Sequence, residues 1–423
     1  MRAPEGIISI LFVNTDKKEK ISEKRELALK KRWFSAVIVA ISTLLALPAA
    51  AFAEERAPQS GSGSSALELA PSARSAILMD ADSGKVIFER NSHDKLPPAS
   101  ITKIMTMLLI MEALEDGRLK WTDTVQTSEY AASMGGSQIF LEQGEEMTVE
   151  DMLKGIALAS GNDASVAMAE KLAGTEAQFV EMMNERAREL GMNNTHFVNA
   201  NGLPVANHYS TAHDIAIMSR ELLKYPEITK YTGLYQDYLR KSSEKPFWLV
   251  NTNKLVRFYS GADGLKTGYT SEAKYCLSAT ARRDNMRVIA VVMGEPTTKQ
   301  RNAEVSQMFD YAFSQYMNYP IVHKGDEIGK VRIEKGMQAE LPLKAGQSYS
   351  ILLKRGSSTK DIRYELAVDE TLKAPVKEGQ PIGKIVVYQG DKVLEEYPLQ
   401  APQSVDKAGW WQLLKRSASG LFR

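Results

Sequence analysis

The sequence contains a single cysteine, Cys276, among its 423 residues. One cysteine cannot form an intramolecular disulfide, which excludes a small disulfide-stabilised scaffold. Cys276 lies in the apolar run 275–277, which is typical of a buried strand, and no histidine neighbours it in the sequence. A reactive thiol needs a neighbouring cation and exposure, so we predict that Cys276 is a buried structural residue.

Excess charge and metal-binding patterns are also lacking. The 53 basic and 52 acidic side chains leave a net charge of +1, so no global field favours a nucleic-acid partner. None of the five histidines forms an H-E-x-x-H pair, and we predict no metal and no cofactor. No G-x-S-x-G motif is present, which argues against a Ser-His-Asp hydrolase of the nucleophile-elbow type.

The N-terminal apolar run, residues 36–47, is short. Lys30, Lys31 and Arg32 precede it, and the small residues Ala51 and Ala53 follow it. This pattern predicts a secretory signal peptide over residues 1–53, cleaved after Ala53, and therefore an exported protein. The run is too short for a comfortable membrane span, although a retained N-terminal anchor is the alternative.

Residues 54–69 are polar and rich in glycine and serine, which is typical of a flexible linker. The following segment, 70–318, has apolar runs of strand type at both ends and helix-like segments between them. Two prolines precede residues 99–117, which are apolar nearly all round and therefore predict a fully buried helix. We predict an α+β domain whose terminal segments share one antiparallel sheet.

Several boundaries of this domain follow from local signals. Thr148 and Thr211, each with an aspartate three residues later, predict helix starts. Strands are predicted over residues 275–281 and 288–293, with a turn between them, and a helix is predicted around residues 302–317.

The remaining chain divides into two parts. Residues 319–402 contain short β-type runs that alternate with glycine and proline signals, which predicts a small all-β domain. Residues 403–423 place Trp410, Trp411 and Leu414 on one helical face, and basic residues dominate the charges from 404 onwards. This pattern predicts an amphipathic helix that lies on an anionic membrane surface; docking on the protein's own surface is the alternative.

The motif Ser-x-x-Lys places a hydroxyl and an amine on one helical face, one turn apart. It occurs six times, starting at Ser92, Ser100, Ser242, Ser271, Ser357 and Ser404. Only Ser100 opens an apolar helix, which would desolvate Lys103 and lower its pKa, so that the amine can accept the serine proton. The start of the helix also directs backbone N–H groups at a developing oxyanion.

Two further motifs follow in the chain. Ser160-Gly161-Asn162 ends the helix predicted from Thr148; it offers a hydroxyl and an amide to a substrate, although a simple helix cap is the better explanation when the motif is taken alone. Lys266-Thr267-Gly268 opens the strand region. Its ammonium and hydroxyl suit a carboxylate, and its glycine allows a peptide to approach the strand; alone, it also fits an exposed lysine before a turn.

In this order the three motifs resemble the set of penicillin-binding proteins and serine β-lactamases. The segments PASITKIMT, SGNDAS, DGLKTGYT and HYSTAHD also resemble D-alanyl-D-alanine carboxypeptidases of peptidase family S11, the low-molecular-mass penicillin-binding proteins. Among these, the chain is most similar to the sporulation-associated members of endospore-forming bacteria. The resemblance covers nearly everything after the signal peptide. It implies that the domain over residues 70–318 has the fold of β-lactamases and penicillin-binding proteins, an antiparallel sheet with a cluster of helices.

The resemblance implies roles for individual residues. Ser100 is acylated, Lys103 is the base, and Ser160 with Lys266 forms a proton relay. Asn162 holds the acyl-peptide amide, while Thr267 and Gly268 line the strand that pairs with substrate. The backbone N–H groups of Ser100 and Tyr269 form the oxyanion hole, and Arg301 lies near the substrate carboxylate. These are the candidate site residues: Ser100, Lys103, Ser160, Asn162, Lys266, Thr267, Gly268, Tyr269 and Arg301.

The implied reaction is removal of the terminal D-alanine from peptidoglycan pentapeptide stems, with β-lactam antibiotics as covalent inhibitors. The implied location is the outer face of the cytoplasmic membrane, with residues 404–423 as a peripheral anchor. A serine β-lactamase is one alternative, but class A enzymes carry Ser-Asp-Asn, and Gly161 replaces that aspartate here. A non-catalytic wall-binding protein that works through its β-rich domain is the other.

Overall fold

The computed structural model describes residues 7–8 and 68–412. Its helices are the 3-10 helix η1 (Ala99–Thr102) and the α-helices α1 (Lys103–Glu115), α2 (Glu129–Ala132), α3 (Val149–Ala159), α4 (Asn162–Ala173), α5 (Glu176–Glu189), α6 (Ala212–Leu222), α7 (Ile228–Thr232), α8 (Leu255–Phe258) and α9 (Thr298–Gln315).

Its strands are β1 (Ile7–Ile8), β2 (Ser75–Asp80), β3 (Val86–Arg90), β4 (Thr124–Gln126), β5 (Glu146–Thr148), β6 (Gln236–Leu239), β7 (Phe247–Val250), β8 (Ala262–Thr270), β9 (Lys274–Arg283), β10 (Met286–Glu295), β11 (Tyr316–Val322), β12 (Glu327–Glu334), β13 (Glu340–Lys344), β14 (Tyr349–Lys354), β15 (Ile362–Asp369), β16 (Thr371–Lys373), β17 (Pro381–Gln389) and β18 (Lys392–Gln400). The predicted signal peptide, its cleavage site and the linker up to residue 67 lie outside these residues, apart from β1, which pairs with β15.

A five-stranded antiparallel sheet with the order β3-β2-β10-β9-β8 forms the centre of the first domain. The predicted sharing of one sheet by the terminal segments is confirmed, because β2 pairs with β10 in the register Met79↔Ile289. Alternate residues of these strands enter two different cores: Ile77 packs with the main helical cluster, and Leu78 packs with α9 on the other face. Strand β8 is thereby placed at the edge of the sheet.

Helix α1 lies inside the helical cluster, as its apolar sequence predicts. Ile104, Met107 and Leu108 have no exposed surface, and Lys103 at the start of the helix has none either. Full burial of one such apolar side chain stabilises the fold by about 1.5–3 kcal/mol, so α1 is the element around which α3, α4 and α6 assemble. The position of the Ser-x-x-Lys motif is fixed by this packing.

The predicted helix starts at Thr148 and Thr211 are confirmed. Each threonine hydroxyl accepts a hydrogen bond from the backbone N–H three residues later, as an N-cap does. The helix predicted around residues 302–317 begins earlier, because Thr297 caps α9 in the same way. It also ends at Gln315, since the chain turns extended at Tyr316 and enters strand β11.

The chain from β11 onwards forms the predicted all-β domain, with sheets β1-β15-β17-β18, β13-β12-β16 and β11-β14. Its strands alternate buried and exposed residues and enclose a core of their own, which includes Ile328, Leu341, Leu343 and Ile385. The β-rich domain is therefore stabilised by a hydrophobic core of its own.

The C-terminal segment departs from the prediction at its start. Residues 403–409 were expected to be helical, but Val405 pairs with Val376 and Lys407 pairs with Gly336, and Val405 is buried in the β-rich domain. An apolar residue that fills this core cannot also lie on a separate amphipathic helix. Helical structure begins only at Trp410, and residues 413–423 lie outside the described part. No helix within the described residues has the length and hydrophobicity needed to cross a membrane.

Candidate active site

The candidate nucleophile stands on a short, constrained turn. Pro97 and Pro98 precede the 3-10 helix η1, and Ala99 adopts a φ of 48°, an uncommon conformation for a residue other than glycine. The hydroxyl of Thr102 donates to the Ala99 carbonyl over 2.8 Å. Ser100 follows Ala99 directly and is half-buried, so its orientation depends on this turn.

Lys103 is the first residue of α1 and is completely buried. Its Nζ atom lies 3.0 Å from the Oγ atom of Ser100. It also lies 2.7 Å from Oδ1 of Asn162 and 2.6 Å from the backbone carbonyl oxygen of Asn201. The structure thus brings the first two motifs together around one amine.

The surroundings of Lys103 favour the neutral amine. Burial lowers the pKa of Lys103 well below its ordinary value, and the positive charge of Lys266 lowers it further, while Asp163 opposes this effect. A neutral amine has two N–H donors and one lone pair. Since carbonyl oxygens can only accept, the two donors go to Asn162 and Asn201, and the lone pair is left facing Ser100.

The second motif joins two helices instead of only ending one. Ser160 terminates α3 in the left-handed conformation, with φ 63° and ψ 31°, and Asn162 begins α4. Both side chains are buried. The Asn162 amide donates to the Gly135 carbonyl over 2.6 Å, so its carbonyl oxygen is oriented towards Lys103. The capping interpretation accounts for the backbone at Ser160 but not for the contact of Asn162 with the lysine.

Asp163, which sequence reasoning missed, holds this region in place. Its buried carboxylate accepts hydrogen bonds from the backbone N–H groups of Ile139 and Leu141, at 3.0 and 3.1 Å. Hydrogen bonds to a charged group are stronger than those between neutral groups. They fasten the segment before β5 against α4, and the Gly135 carbonyl that orients Asn162 belongs to the same segment.

The third motif lies on the edge strand β8. The Lys266 amine is buried and donates to the Thr267 carbonyl over 2.9 Å. Burial and the charge of Arg301 lower the pKa of Lys266 to about 7. The Thr267 hydroxyl donates to Thr252 over 2.7 Å. A Cβ atom on Gly268 would stand 2.9 Å from the Pro98 carbonyl oxygen, so only glycine allows β8 to approach the turn of Ser100 this closely.

Tyr269 and Arg301 complete the predicted set. The Tyr269 ring is 54% exposed and stacks on Tyr275 with a centroid distance of 4.4 Å, so it forms part of the rim. Arg301, on α9, is nearly buried and donates to Asn302 Oδ1 from two of its nitrogen atoms. Its influence on the pKa of Lys266 places its charge near the third motif. Cys276 is confirmed as buried, and burial raises the pKa of its thiol to about 11.

A cavity of about 530 Å³ lies beside the Ser100 turn. Pro98 and Ala99 border it on one side, the segment 202–209 on a second, and Thr270 with Glu272 on a third. The space adjoins the site without including the reacting groups.

A serine beside a buried lysine, faced by an edge strand, defines a class of serine acyl-transfer enzymes that use an amine in place of the histidine of a Ser-His-Asp triad. Comparison with known proteins identifies the family within this class. The model of the D-alanyl-D-alanine carboxypeptidase family, peptidase family S11, matches residues 62–297. The model of the C-terminal domain of penicillin-binding protein 5 matches residues 316–407.

Individual relatives agree with these matches. The D-alanyl-D-alanine carboxypeptidase DacF of Bacillus subtilis is 52% identical over 92% of this chain and 98% of its own length. DacA of Haemophilus influenzae is 34% identical over 83% of this chain and 90% of its own. The crystal structure of penicillin-binding protein 5 from Haemophilus influenzae superposes with a TM-score of 0.65, at 32% identity over 82% of this chain and all of that chain.

A solved structure of penicillin-binding protein D2 from Listeria monocytogenes, in its cefotaxime-bound form, superposes with a TM-score of 0.53 at 31% identity. It covers 59% of this chain and 99% of that one. This chain belongs to the D-alanyl-D-alanine carboxypeptidase family, peptidase family S11, and is a serine carboxypeptidase.

Proposed function

We propose that the protein removes the terminal D-alanine from the pentapeptide stems of peptidoglycan through an acyl-enzyme at Ser100. The observation that carries the proposal is the contact of Ser100 with a buried amine that also lies within hydrogen-bond distance of two carbonyl oxygen atoms. The family to which the chain belongs supports the choice of a D-alanyl-D-alanine bond as the target.

In the proposed acylation, the lone pair of Lys103 takes the proton of the Ser100 hydroxyl as Oγ attacks the carbonyl of the penultimate D-alanine. The backbone N–H groups of Ser100 and Tyr269 stabilise the oxyanion. Ser160, supported by Lys266, delivers its proton to the departing amine, and the proton that Lys103 took from Ser100 then passes to Ser160, so that Lys103 is neutral again for deacylation. Free D-alanine leaves, and the shortened stem stays bound to Ser100 as an ester.

The proposed binding mode uses the edge of β8. An extended peptide can pair with a free strand edge, and the close approach of β8 to η1 at Gly268 sets such a peptide beside Ser100. Thr267 and Arg301 bind the C-terminal carboxylate, and Asn162 binds the amide on the acyl side. Deacylation follows when Lys103 activates a water molecule against the ester.

β-Lactam antibiotics are proposed covalent inhibitors, because their strained amide presents a carbonyl to the same serine. The cefotaxime-bound relative from Listeria monocytogenes supports this part of the proposal. Gly161 stands where class A β-lactamases carry an aspartate. We expect the penicilloyl ester at Ser100 to be long-lived.

The test incubates the purified, mature chain with a diacylated peptide that ends in D-Ala-D-Ala and measures the D-alanine released from the peptide. The wild type should release D-alanine and should be labelled by fluorescent penicillin. Ser100→Ala should release no D-alanine and should not be labelled. Labelling of Ser100→Ala would refute the assignment. Steady-state hydrolysis of penicillin above about one turnover per second, the low end of ordinary enzyme rates, would favour a β-lactamase instead.

The proposed location is the outer face of the cytoplasmic membrane, after export with removal of residues 1–53. Trp410 and Trp411 support a peripheral anchor: they are 67% and 69% exposed, and they follow directly on the segment that is fixed to the β-rich domain. Paired tryptophans next to basic residues suit the interface of an anionic bilayer. The sporulation-associated role stays a prediction from resemblance.

A further inference from the structure

His208 lies behind the nucleophile's turn and is buried, with 7% of its surface exposed. Its Nε2 atom is 2.8 Å from the hydroxyl oxygen of Thr102, and its Nδ1 atom accepts a hydrogen bond from the backbone N–H of Val198 over 3.0 Å. The imidazole therefore connects the 198–208 loop to the 3-10 helix that carries Ser100.

These contacts fix the tautomer. Because the Val198 amide can only donate, Nδ1 carries no proton, and the ring hydrogen is on Nε2. Nε2–H then donates to the Thr102 hydroxyl, which in turn donates to the Ala99 carbonyl over 2.8 Å. Burial, together with smaller effects of His196 and Lys103, lowers the pKa of His208 to about 4, so this neutral form persists at ordinary pH.

The chain of donors ends on the residue that most constrains Ser100. Ala99 adopts a positive φ, a strained conformation for an alanine that persists only because its surroundings hold it there. The Thr102 hydroxyl holds its carbonyl from one side, and Gly202 packs against the same carbonyl so closely that a Cβ atom would collide with it. Loss of His208 would free the hydroxyl to rotate away from Ala99.

The same loop also contacts the candidate base. The Asn201 carbonyl accepts from Lys103 over 2.6 Å, and the Ala200 carbonyl accepts from Thr106 over 2.6 Å. With Thr102, these residues form a polar stripe at the start of α1 on which the loop is docked. His208 closes the C-terminal end of that loop.

We propose that His208 is a positioning residue for the nucleophile: through Thr102 it fixes the turn that presents Ser100, and it holds the loop whose Asn201 carbonyl binds Lys103. The inference rests on the proposed function, because it assigns His208 a role in acylation at Ser100.

The experiment compares His208→Ala and His208→Gln with the wild type. In His208→Ala, penicillin acylation and kcat for D-alanine release should fall about tenfold or more with KM unchanged, since a displaced nucleophile costs rate and not substrate affinity. Glutamine can accept from Val198 and donate to Thr102, so His208→Gln should recover to within about threefold of the wild-type rate. His323→Gln, a change at an exposed histidine of the β-rich domain, should leave both parameters unchanged.

Three results would overturn the inference. One is a wild-type rate in His208→Ala. The second is a raised KM with unchanged kcat, because His208 also borders the cavity and would then serve substrate binding. The third is a failure of glutamine to restore the rate in a variant that keeps the wild-type Tm.

Thr102→Val removes the hydroxyl that links His208 to the Ala99 carbonyl. This variant tests the inference if His208→Ala does not fold. It should lose kcat as His208→Ala does, and a wild-type rate in Thr102→Val would refute the connection. The wild-type result distinguishes a failure of the proposed function from a failure of this inference. If the wild type releases no D-alanine, the proposed function is wrong. If the wild type releases D-alanine and all variants match its rate, only the role of His208 is wrong.

Discussion

Asn162 and Lys103 meet across 2.7 Å, the side-chain carbonyl of the one accepting a hydrogen bond from the buried amine of the other. The contact joins residues 59 positions apart in the chain. It occupies one of the two hydrogen atoms of a neutral amine, and Asn201 occupies the other. The Asn162 side chain is therefore a determinant of the direction in which the lysine presents its lone pair.

The protonation of Lys103 predicts how acylation depends on pH. The reactive form is the neutral amine, which is lost as pH falls through its lowered pKa, so acylation by penicillin should decline towards acid pH. Lys266 is one cause of the lowered pKa. Lys266→Met removes that charge, the pKa of Lys103 rises, and the acid limb of the rate profile should move to higher pH.

The measurement is the second-order rate of penicillin acylation between pH 4 and 9, by stopped-flow or fluorescent labelling. Lys299→Met, at an exposed position of α9, is the matched control and should keep the wild-type profile. An unchanged acid limb in Lys266→Met would show that Lys266 does not control the protonation of Lys103.

The buried carboxylate of Asp163 predicts a stability effect. Asp163→Ala leaves the N–H groups of Ile139 and Leu141 without their acceptor. An unsatisfied buried donor costs about 1–3 kcal/mol, so the free energy of unfolding should fall by about 3 kcal/mol in urea titration. Asp151→Ala removes an ion pair at the surface and should cost less than about 1 kcal/mol. Equal losses in the two variants would contradict this interpretation.

Gly268 predicts an effect on rate. In Gly268→Ala the new methyl group meets the Pro98 carbonyl and the Ala99 side chain, so β8 must move away from η1. A shift of about 1 Å between reacting groups can cost about a hundredfold in rate, and we expect a loss of that order in kcat/KM for D-alanine release. Gly346→Ala, where a Cβ atom meets nothing within 4 Å, should retain full activity. Wild-type activity in Gly268→Ala would mean that the close approach is not needed.

The exposed tryptophans predict membrane binding. The double variant Trp410→Ser/Trp411→Ser should bind vesicles that contain anionic lipid at least about tenfold more weakly in a sedimentation assay. Two aromatic side chains that become buried in the bilayer interface contribute several kcal/mol to the free energy of binding. Phe258→Ser removes an equally exposed aromatic side chain, 72% exposed, from the other domain and should bind as the wild type does. Undiminished binding of the double variant would exclude these tryptophans as the anchor.

The sequence predicted the fold class and the surroundings of the Ser-x-x-Lys motif because both depend on patterns within single segments. The all-apolar run after Pro98 can only be a buried helix, and burial is what distinguishes Ser100 from the other serines of the same spacing. Threonine caps and alternating strands are equally local. The helix α9 begins before the predicted boundary because Thr297 caps it.

The functional residues that could not be predicted from the sequence have a different kind of interaction in common. Asp163, Asn201 and His208 act through hydrogen bonds that join separate segments of the chain, and no spacing in the sequence encodes such contacts. His208 was visible only as part of the segment HYSTAHD, where resemblance gave it no role. The misassigned start of the C-terminal helix has the same cause, since the burial of Val405 depends on its pairing with Val376.

The pairing of β2 with β10 has a consequence for biosynthesis. The sheet is closed by strands that stand more than two hundred positions apart, as in Met79↔Ile289, and contacts of such long range form late in folding. Ser100 and Lys103 leave the ribosome long before β8, β9 and β10 have been made. The nascent chain therefore contains Ser100 and Lys103 before it contains Lys266, so the three motifs can come together only after β8 has been synthesised.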